Sequence, residues 1–309
     1  MEREGAIRRN SPRDNVLVTH DLPALGLLLD VDGPIADPLT RSIVISSSTR
    51  DLVALADAGI PIAFNTGRSD GFLANEVVGP LVDGGLSADA RVFGVCEKGA
   101  VWFRITPEGV GELSIDGSLV PTPEFSAAVE QMVADRFSEW MFFDATKRAS
   151  LAVEQRTDVE SLVFLAERDD FCRGVIEICR AFDLGVTWNG EAVPAADGTV
   201  TIRIDPTIIS TDIESVVVGK DFGAERAIAL IEASGPVPTR WRTVGDSRTD
   251  YAMADWLHAN GFDTAHVDVR PADGRLEKPY PVLVADDPAT TNDAAGAEFL
   301  RRWAVELLG

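Results

Sequence analysis

Cysteine and histidine are both scarce, with three of each in 309 residues. Cys96, Cys172 and Cys179 form an odd set without ligand-type spacing. They argue against a disulfide framework and a thiolate zinc site, and for a reducing compartment. His20, His258 and His266 are scattered, which leaves a histidine metal cage or a Ser-His-Asp triad without support. Positive charge is also short: 28 Lys and Arg stand against 50 Asp and Glu, a formal charge of −22. That balance argues against a sequence-independent grip on nucleic acid or an anionic membrane. No apolar run approaches the length of a membrane span, and the polar N-terminus lacks a signal-peptide core, so a cytoplasmic protein is expected. Internal repeats and low-complexity segments are absent. What remains, 45% hydrophobic and 25% charged residues, is ordinary for a globular chain long enough for one large domain or two.

The most informative stretch is Leu25-Gly-Leu-Leu-Leu-Asp30-Val-Asp32-Gly33-Pro34. An unbroken apolar run too short for an amphipathic helix leads into two carboxylates and a Gly-Pro turn. This is how a buried parallel strand ends when polar chemistry sits at its carboxyl edge. Residues i and i+2 of a strand face one side, so Asp30 and Asp32 point together unless the chain curls at Gly33. Two adjacent anions are costly without a cation or a proton to offset them. A calcium loop fits poorly, because Pro34 occupies the third ligand position and no Glu follows at the required spacing.

Residues 1 to about 20 are polar, Arg-rich and aperiodic, and are expected to form a loose arm. After the first strand, Ser47 or Ser48 is placed to cap a helix carrying Leu52, Val53, Leu55 and Ala56, which Gly59 stops. A second apolar strand, Ile60–Phe64, runs into Asn65-Thr66-Gly67-Arg68. A helix over Asp70–Val78 and a third strand at Val92–Val95 follow. Alternation of this kind predicts a doubly wound, Rossmann-like parallel sheet. The rhythm changes near residue 100, with a hairpin at Val101–Ile105 and Gly111–Ile115. Helices follow around Phe125–Phe137 and Val159–Ala181, with strands at Ser150–Glu154, Gly185–Trp188 and Thr199–Ile204. The block over 105–213 is therefore expected to be an inserted α+β domain, and 21–104 with 214–309 the discontinuous core. The core resumes with a strand at Val216–Val218 leading to Gly219-Lys220. A strand at Arg240–Val244 then ends in Gly245-Asp246-Ser247 with Asp250 beyond, further strands lie near 263–267 and 282–284, and Asn292 or Asp293 caps a last helix.

Four polar sites thus share one design, each at the end of an apolar strand or the start of a helix: Asp30/Asp32, Thr66, Lys220 and Asp246/Asp250. Side chains at the carboxyl ends of strands in an open α/β sheet converge on the crevice where ligands bind. Acids, a hydroxyl and a cation gathered there suit a hard divalent cation and a phosphate. Taken singly, Thr66 reads equally well as a helix cap and Asp250 as a helix-start acid.

These motifs, in this order, resemble those of haloacid dehalogenase-superfamily phosphatases. The resemblance is to the Cof-type branch with a C2 cap, which includes sucrose-, trehalose- and mannosylglycerate-type sugar phosphate phosphatases. Asp30-Val-Asp32-Gly33, Thr66-Gly67-Arg68, Lys220 and Gly245-Asp246-Ser247-x-x-Asp250 carry it, and Glu97-Lys98-Gly99-Ala100 resembles the stretch before the cap hairpin. The resemblance spans about residue 25 to the C-terminus. It implies a Mg²⁺-dependent phosphomonoester hydrolase acting on a small phosphorylated metabolite, a sugar phosphate or a phosphoglycerate glycoside. Asp30 would be the nucleophile, Asp32 the proton carrier, and Lys220 the neutralising cation. Thr66 and Gly67 would hold the phosphate, with Arg68 beside them. The metal would lie at Asp30, the main chain of Asp32, Asp246 and Asp250, and the 105–213 block would be the cap. This chain departs from the pattern in having Lys220-Asp-Phe-Gly-Ala where Lys-Gly-x-Ala is usual, with Arg226 as a fallback cation, and in Pro34. In the cap, Lys147, Arg148 and Arg203 are cationic candidates and Trp188-Asn-Gly-Glu191 is a candidate substrate loop. A phosphosugar mutase and a non-catalytic sugar-phosphate-binding protein are the competing readings; monomer and homodimer are both open.

Overall fold

A computed structural model describes residues 23–309; the expected N-terminal arm lies outside the described residues. The first stretch comprises β1 (Gly26–Leu29), α1 (Ser46–Asp57), β2 (Ile62–Asn65), α2 (Asp70–Leu73), α3 (Gly79–Asp83), β3 (Val92–Cys96), β4 (Val101–Thr106), β5 (Gly109–Val110) and β6 (Ser114–Ile115). The middle comprises α4 (Pro123–Met132), β7 (Met141–Asp144), β8 (Leu151–Gln155), α5 (Ser161–Ala181), β9 (Val186–Trp188), β10 (Glu191–Val193), β11 (Ile202–Pro206) and β12 (Ser210–Ser215). The last stretch comprises α6 (Lys220–Ser234), β13 (Arg240–Gly245), α7 (Tyr251–Ala259), β14 (Asp263–Asp268), β15 (Val282–Leu283) and α8 (Asn292–Leu308).

The first and last stretches build one sheet in the order β15-β14-β13-β1-β2-β3-β4-β5, with β6 also on β4. It is parallel from β15 to β3 and antiparallel beyond. Strand β1 lies at its centre, and each of its three leucines is fully buried. Leu27 and Leu29 join the core shared with α1 and α8, whereas Leu28 faces the core shared with α6 and α7. Burial on alternate faces explains why the strand reads as a continuous apolar run, and each such side chain contributes about 2 kcal/mol. The chain winds away from β1 towards β2 on one side and later returns on the other through β13, so the crevice at their carboxyl ends is a topological switch point.

The middle stretch forms a separate sheet, ordered β10-β9-β11-β12-β8-β7. One face packs Met141, Leu151, Val153, Ile204 and Ile213 against Phe125, Val129, Phe164 and Phe171 of α4 and α5. Two boundaries differ from expectation. The hairpin over 101–115 stays with the central sheet, because Val101, Phe103 and Ile105 point into its core, so the excursion begins only near α4. Val216–Val218 is no strand but the turn that returns the chain, with Val217 exposed; a β-branched run mimicked a strand where a linker crosses. The helix expected over 70–78 runs on to Asp83 through a π-turn at Ala74–Val78. At the last helix the cap position falls on Thr291, one residue before the expected Asn292.

A two-residue joint ties the two sheets together. Glu97 and Lys98 both adopt left-handed backbone, φ +47° and +56°, a conformation that costs ordinary residues of order 1 kcal/mol each. The buried Glu97 carboxylate accepts the N–H groups of Arg148 and Ala149 and the Ser150 hydroxyl. Lys98 Nζ reaches Glu214 at 2.7 Å, Asp205 at 3.1 Å and Asp212 at 3.5 Å. Among the described residues, no helix is long and apolar enough to cross a membrane.

Candidate active site

Asp30 follows the last residue of β1, Thr66 the last of β2, and Asp246 the last of β13, while Lys220 opens α6 and Asp250 precedes α7. All five line one cavity of about 800 Å³ between the two sheets, with Asp32, Gly67 and Arg68. Lys220 Nζ lies 2.6 Å from Asp30 and 2.7 Å from Asp250, and donates to the main-chain carbonyl of Asn65 at 2.8 Å. The Asn65 amide in turn donates to the Lys220 carbonyl, fixing the first turn of α6. The altered sequence after Lys220 therefore leaves its ammonium between the two acids. Arg226, the fallback cation, lies elsewhere, paired with Asp116 and stacked on Trp102.

The electrostatics are asymmetric. Burial, reinforced by Asp250, raises the proton affinity of Asp30 well above that of an ordinary carboxylate in spite of Lys220. Burial acts on Asp250 as well, but Lys220 and the hydrogen bonds from Ser247 outweigh it and hold that carboxyl below its usual range. Burial disfavours the free ammonium of Lys220, and the two acids reverse this and raise its affinity for the proton. Asp246 is raised by burial and by Asp250, with Arg270 at 3.0 Å opposing. One oxygen from each of Asp30, Asp246 and Asp250 lies within 4.8 Å of the others. Three hard carboxylate donors suit a Mg²⁺-type cation. Gly33, at φ +93°, brings the loop so close to Asp246 that a Cβ there would sit 2.9 Å from its carboxylate oxygen. The residues present fit a small divalent ion.

The two aspartates of the opening stretch line one cavity but take different cations. The chain curls at Gly33, and Asp32 is gripped by Arg68, whose Nε and Nη2 each lie 3.0 Å from a carboxylate oxygen. The guanidinium also stacks 5.0 Å from the Phe72 ring. Thr66 is buried and accepts the Arg68 N–H, whereas the helix cap is Ser69, which accepts from Phe72.

Of the three cap cations, Lys147 lines the cavity, whereas Arg148 and Arg203 do not. Lys147 donates to the Gly67 carbonyl at 2.5 Å, Arg148 pairs with Asp70 at 2.6 Å, and Arg203 serves Glu214 and the Val218 carbonyl. These cations tie the cap to the core or the cap to itself. The Trp188–Glu191 segment is a tight hairpin turn with Asn189 and Gly190 both at positive φ, and it lies away from the cavity. Beside Lys147 the cavity is lined by Phe142, Asp144, Glu154, Ser210 and Asp212, which were missed. Strands β7 and β12 were not recognised: β7 is a run of only three apolar residues before Asp144, and β12 carries one large apolar residue, Ile213, among polar ones.

No family model and no curated protein matches the sequence. In fold, the chain is similar to the C-terminal domain of a trehalose-6-phosphate phosphatase from C. albicans, at a TM-score of 0.59 and 14% identity over 93% of this chain and 94% of that one. A trehalose-6-phosphate phosphatase related protein gives 0.55 at 12% identity, covering 92% and 98%. A haloacid dehalogenase-like hydrolase from Bacteroides thetaiotaomicron gives 0.55 at 14% identity, covering 90% and 98%. The chain has the fold of the haloacid dehalogenase-like hydrolases.

Proposed function

We propose that the protein is a Mg²⁺-dependent phosphomonoester hydrolase of a small phosphorylated metabolite, with a sugar phosphate as the substrate class that its fold relatives favour. The observation that carries this reading is Lys220 held between Asp30 and Asp250 at the carboxyl edge of the central sheet, with Asp246 and Thr66 around the same cavity. Asp30, Asp246 and Asp250 would hold the ion, which when bound supplies the positive charge that lets a carboxylate approach an anionic phosphoryl group.

The chain's own groups do the rest. An Asp30 oxygen attacks phosphorus, the bond to the leaving oxygen breaks, and that oxygen takes a proton from Asp32. Water then attacks the aspartyl-phosphate, Asp32 accepts its proton, and the Asp30 carboxylate is restored as inorganic phosphate leaves. Lys220 balances the charge gathering on Asp30 and the moving phosphoryl group. Thr66 and the N–H of Gly67 hold phosphate oxygens ahead of α2. Asp32 begins in a two-pronged pair with Arg68, and a planar guanidinium suits phosphate as well as it suits a carboxylate. An arriving phosphate therefore competes for Arg68 and frees Asp32, which takes up a proton from solvent before it serves the leaving oxygen.

The test is phosphate release from a panel of phosphorylated metabolites in Mg²⁺. Asp30→Asn should lower it by at least about a thousandfold. Release that survives this substitution would overturn the mechanism, and interconversion of phosphosugar isomers without free phosphate would identify a mutase instead.

A further inference from the structure

The run Lys220-Asp-Phe-Gly223 departs from the Lys-Gly-x-Ala pattern, and the reason lies opposite it, at Asn65. Asn65 is the last residue of β2, directly before Thr66, and is fully buried. Its side-chain amide donates to the Lys220 carbonyl at 2.8 Å, while its main-chain carbonyl accepts from Lys220 Nζ at 2.8 Å. One residue thus holds both ends of Lys220, the backbone and the ammonium. A flexible four-carbon stem needs such a hold if its charge is to stay in one place. Here Nζ is delivered 2.6 Å from Asp30 and 2.7 Å from Asp250.

Gly223, the fourth residue of α6, makes this approach possible. A Cβ there would sit 2.1 Å from Asn65 Oδ1, 2.6 Å from its Cγ and 2.7 Å from its Nδ2. The three nearest atoms therefore all belong to the Asn65 side chain. The backbone of Gly223 lies outside the left-handed region, so space and not conformation asks for glycine. Within a helix that choice is unfavourable relative to alanine. Asn65 Oδ1 is buried without a hydrogen-bond donor among the described residues, and the Cα–H of Gly223 is what faces it. An undonated buried acceptor is unfavourable as well. The two costs occur together because each makes room for the amide that grips Lys220. From the other side, a Cβ at Gly99 would meet the Phe222 ring at 2.6 Å and Gly223 Cα at 3.0 Å, so the same turn is enclosed by the joint.

We propose that Asn65 and Gly223 are an interlocking pair that sets the position of Lys220, which makes Asn65 a positioning residue for phosphoryl transfer. Its part in turnover rests on the phosphatase reading, whereas the hold on Lys220 stands apart from it. Without the Asn65 amide, Lys220 keeps its two acids but loses the anchor of its backbone. The first turn of α6 then drifts and carries the ammonium away from Asp30. Misplacing a charge in this way weakens the transition state more than it weakens binding, so kcat suffers before KM.

The chain has four lysines, Lys98, Lys147, Lys220 and Lys278, so reductive methylation read by peptide mass spectrometry follows Lys220 by itself. Lys98, also largely buried and paired with three acids, is the internal control. In Asn65→Ala the rate at Lys220 should rise at least about fivefold, with Lys98 within about twofold of wild type. Gly223→Ala should raise it too, since its methyl group collides with the Asn65 amide. Asn65→Ala/Gly223→Ala should react no faster at Lys220 than Asn65→Ala, because the two changes strike one contact. This double variant regains a good helix former, and it carries the test where Asn65→Ala is too unstable to purify. An unchanged Lys220, equal acceleration at Lys98, or a silent Gly223→Ala would overturn the proposal. Across the phosphate ester panel, kcat of the Asn65 variant should fall at least about tenfold with KM within about twofold. Wild-type kcat would overturn the positioning role. If the wild type releases phosphate from no ester while the methylation pattern holds, the phosphatase reading fails and the interlock stands.

Discussion

The two sheets carry their polar chemistry in opposite ways. The inner strands β1, β2 and β3 are buried at every position and apolar almost to their ends, and the site residues of this sheet stand just past a strand end, at Asp30, Thr66 and Asp246. The cap sheet has helices on one face alone, and its functional candidates stand at alternate positions along the strands, at Phe142, Asp144, Glu154, Ser210 and Asp212. The lower site gathers its acids around Lys220, while the upper face spreads Asp144, Glu154 and Asp212 among Arg41, Lys147 and Lys98. A parallel sheet covered on both sides thus confines a site to its rim, and an antiparallel sheet with one bare face offers a whole surface for recognition.

The contrast breaks most severely at Lys220. Lys220→Ala leaves Asp30 and Asp250 buried together without their cation, which should cost about 3–5 kcal/mol of stability. Lys147→Ala, in the cap wall, should cost less than about 1 kcal/mol. Urea denaturation of both variants measures the difference. Added Mg²⁺ should recover part of the loss at Lys220 and none at Lys147, and equal losses would show that the lower charges are not coupled as described.

A smaller effect separates the halves by pH. His266 on β14 is fully buried, shares a 2.7 Å hydrogen bond with Thr243, and has its pKa lowered by burial from 6.5 to about 4. Between those values the unfolded chain binds a proton that the folded chain refuses. The contribution is therefore complete above pH 6.5 and is lost as pH falls towards 4, amounting to roughly 3 kcal/mol at most. The stability difference between wild type and His266→Gln should change by that order between pH 7 and pH 4.5. A difference independent of pH would mean that His266 already carries its proton when folded.

The smallest effect lies in the cap. Thr122 caps α4 by accepting from the Phe125 N–H at 3.3 Å. Thr122→Ala should cost about 1 kcal/mol. Hydrogen exchange should quicken in α4 and leave β1 and β13 protected; equal loosening of both sheets would show that they unfold as one unit.

This contrast also explains what was legible in the sequence. Asp30, Thr66, Asp246 and Asp250 were readable because apolar runs stop abruptly at them, and the parallel core followed from the alternation of those runs with helices. Lys220 stood in an unfamiliar context, yet its place at the first turn of α6 was enough to deliver it to the site. Asp144, Glu154 and Asp212 escaped notice because a polar residue at every second position looks the same whether it faces water or a ligand. The Arg68 pair with Asp32 could not be foreseen either, since it depends on the curl at Gly33 and on an approach between two separate strand ends.

The central position of β1 has a consequence for the order of assembly. Its partner β13 pairs Val244 with Leu29, and the whole cap lies between them in the chain. During synthesis the cap can close its own core as soon as β12 has emerged, whereas one edge of β1 stays unpaired until β13 follows. Lys220, Asp246 and Asp250 also arrive only then. A nascent or truncated chain thus holds a finished second sheet beside half a site, and the full set of acids around Lys220 assembles only with the last third of the polypeptide.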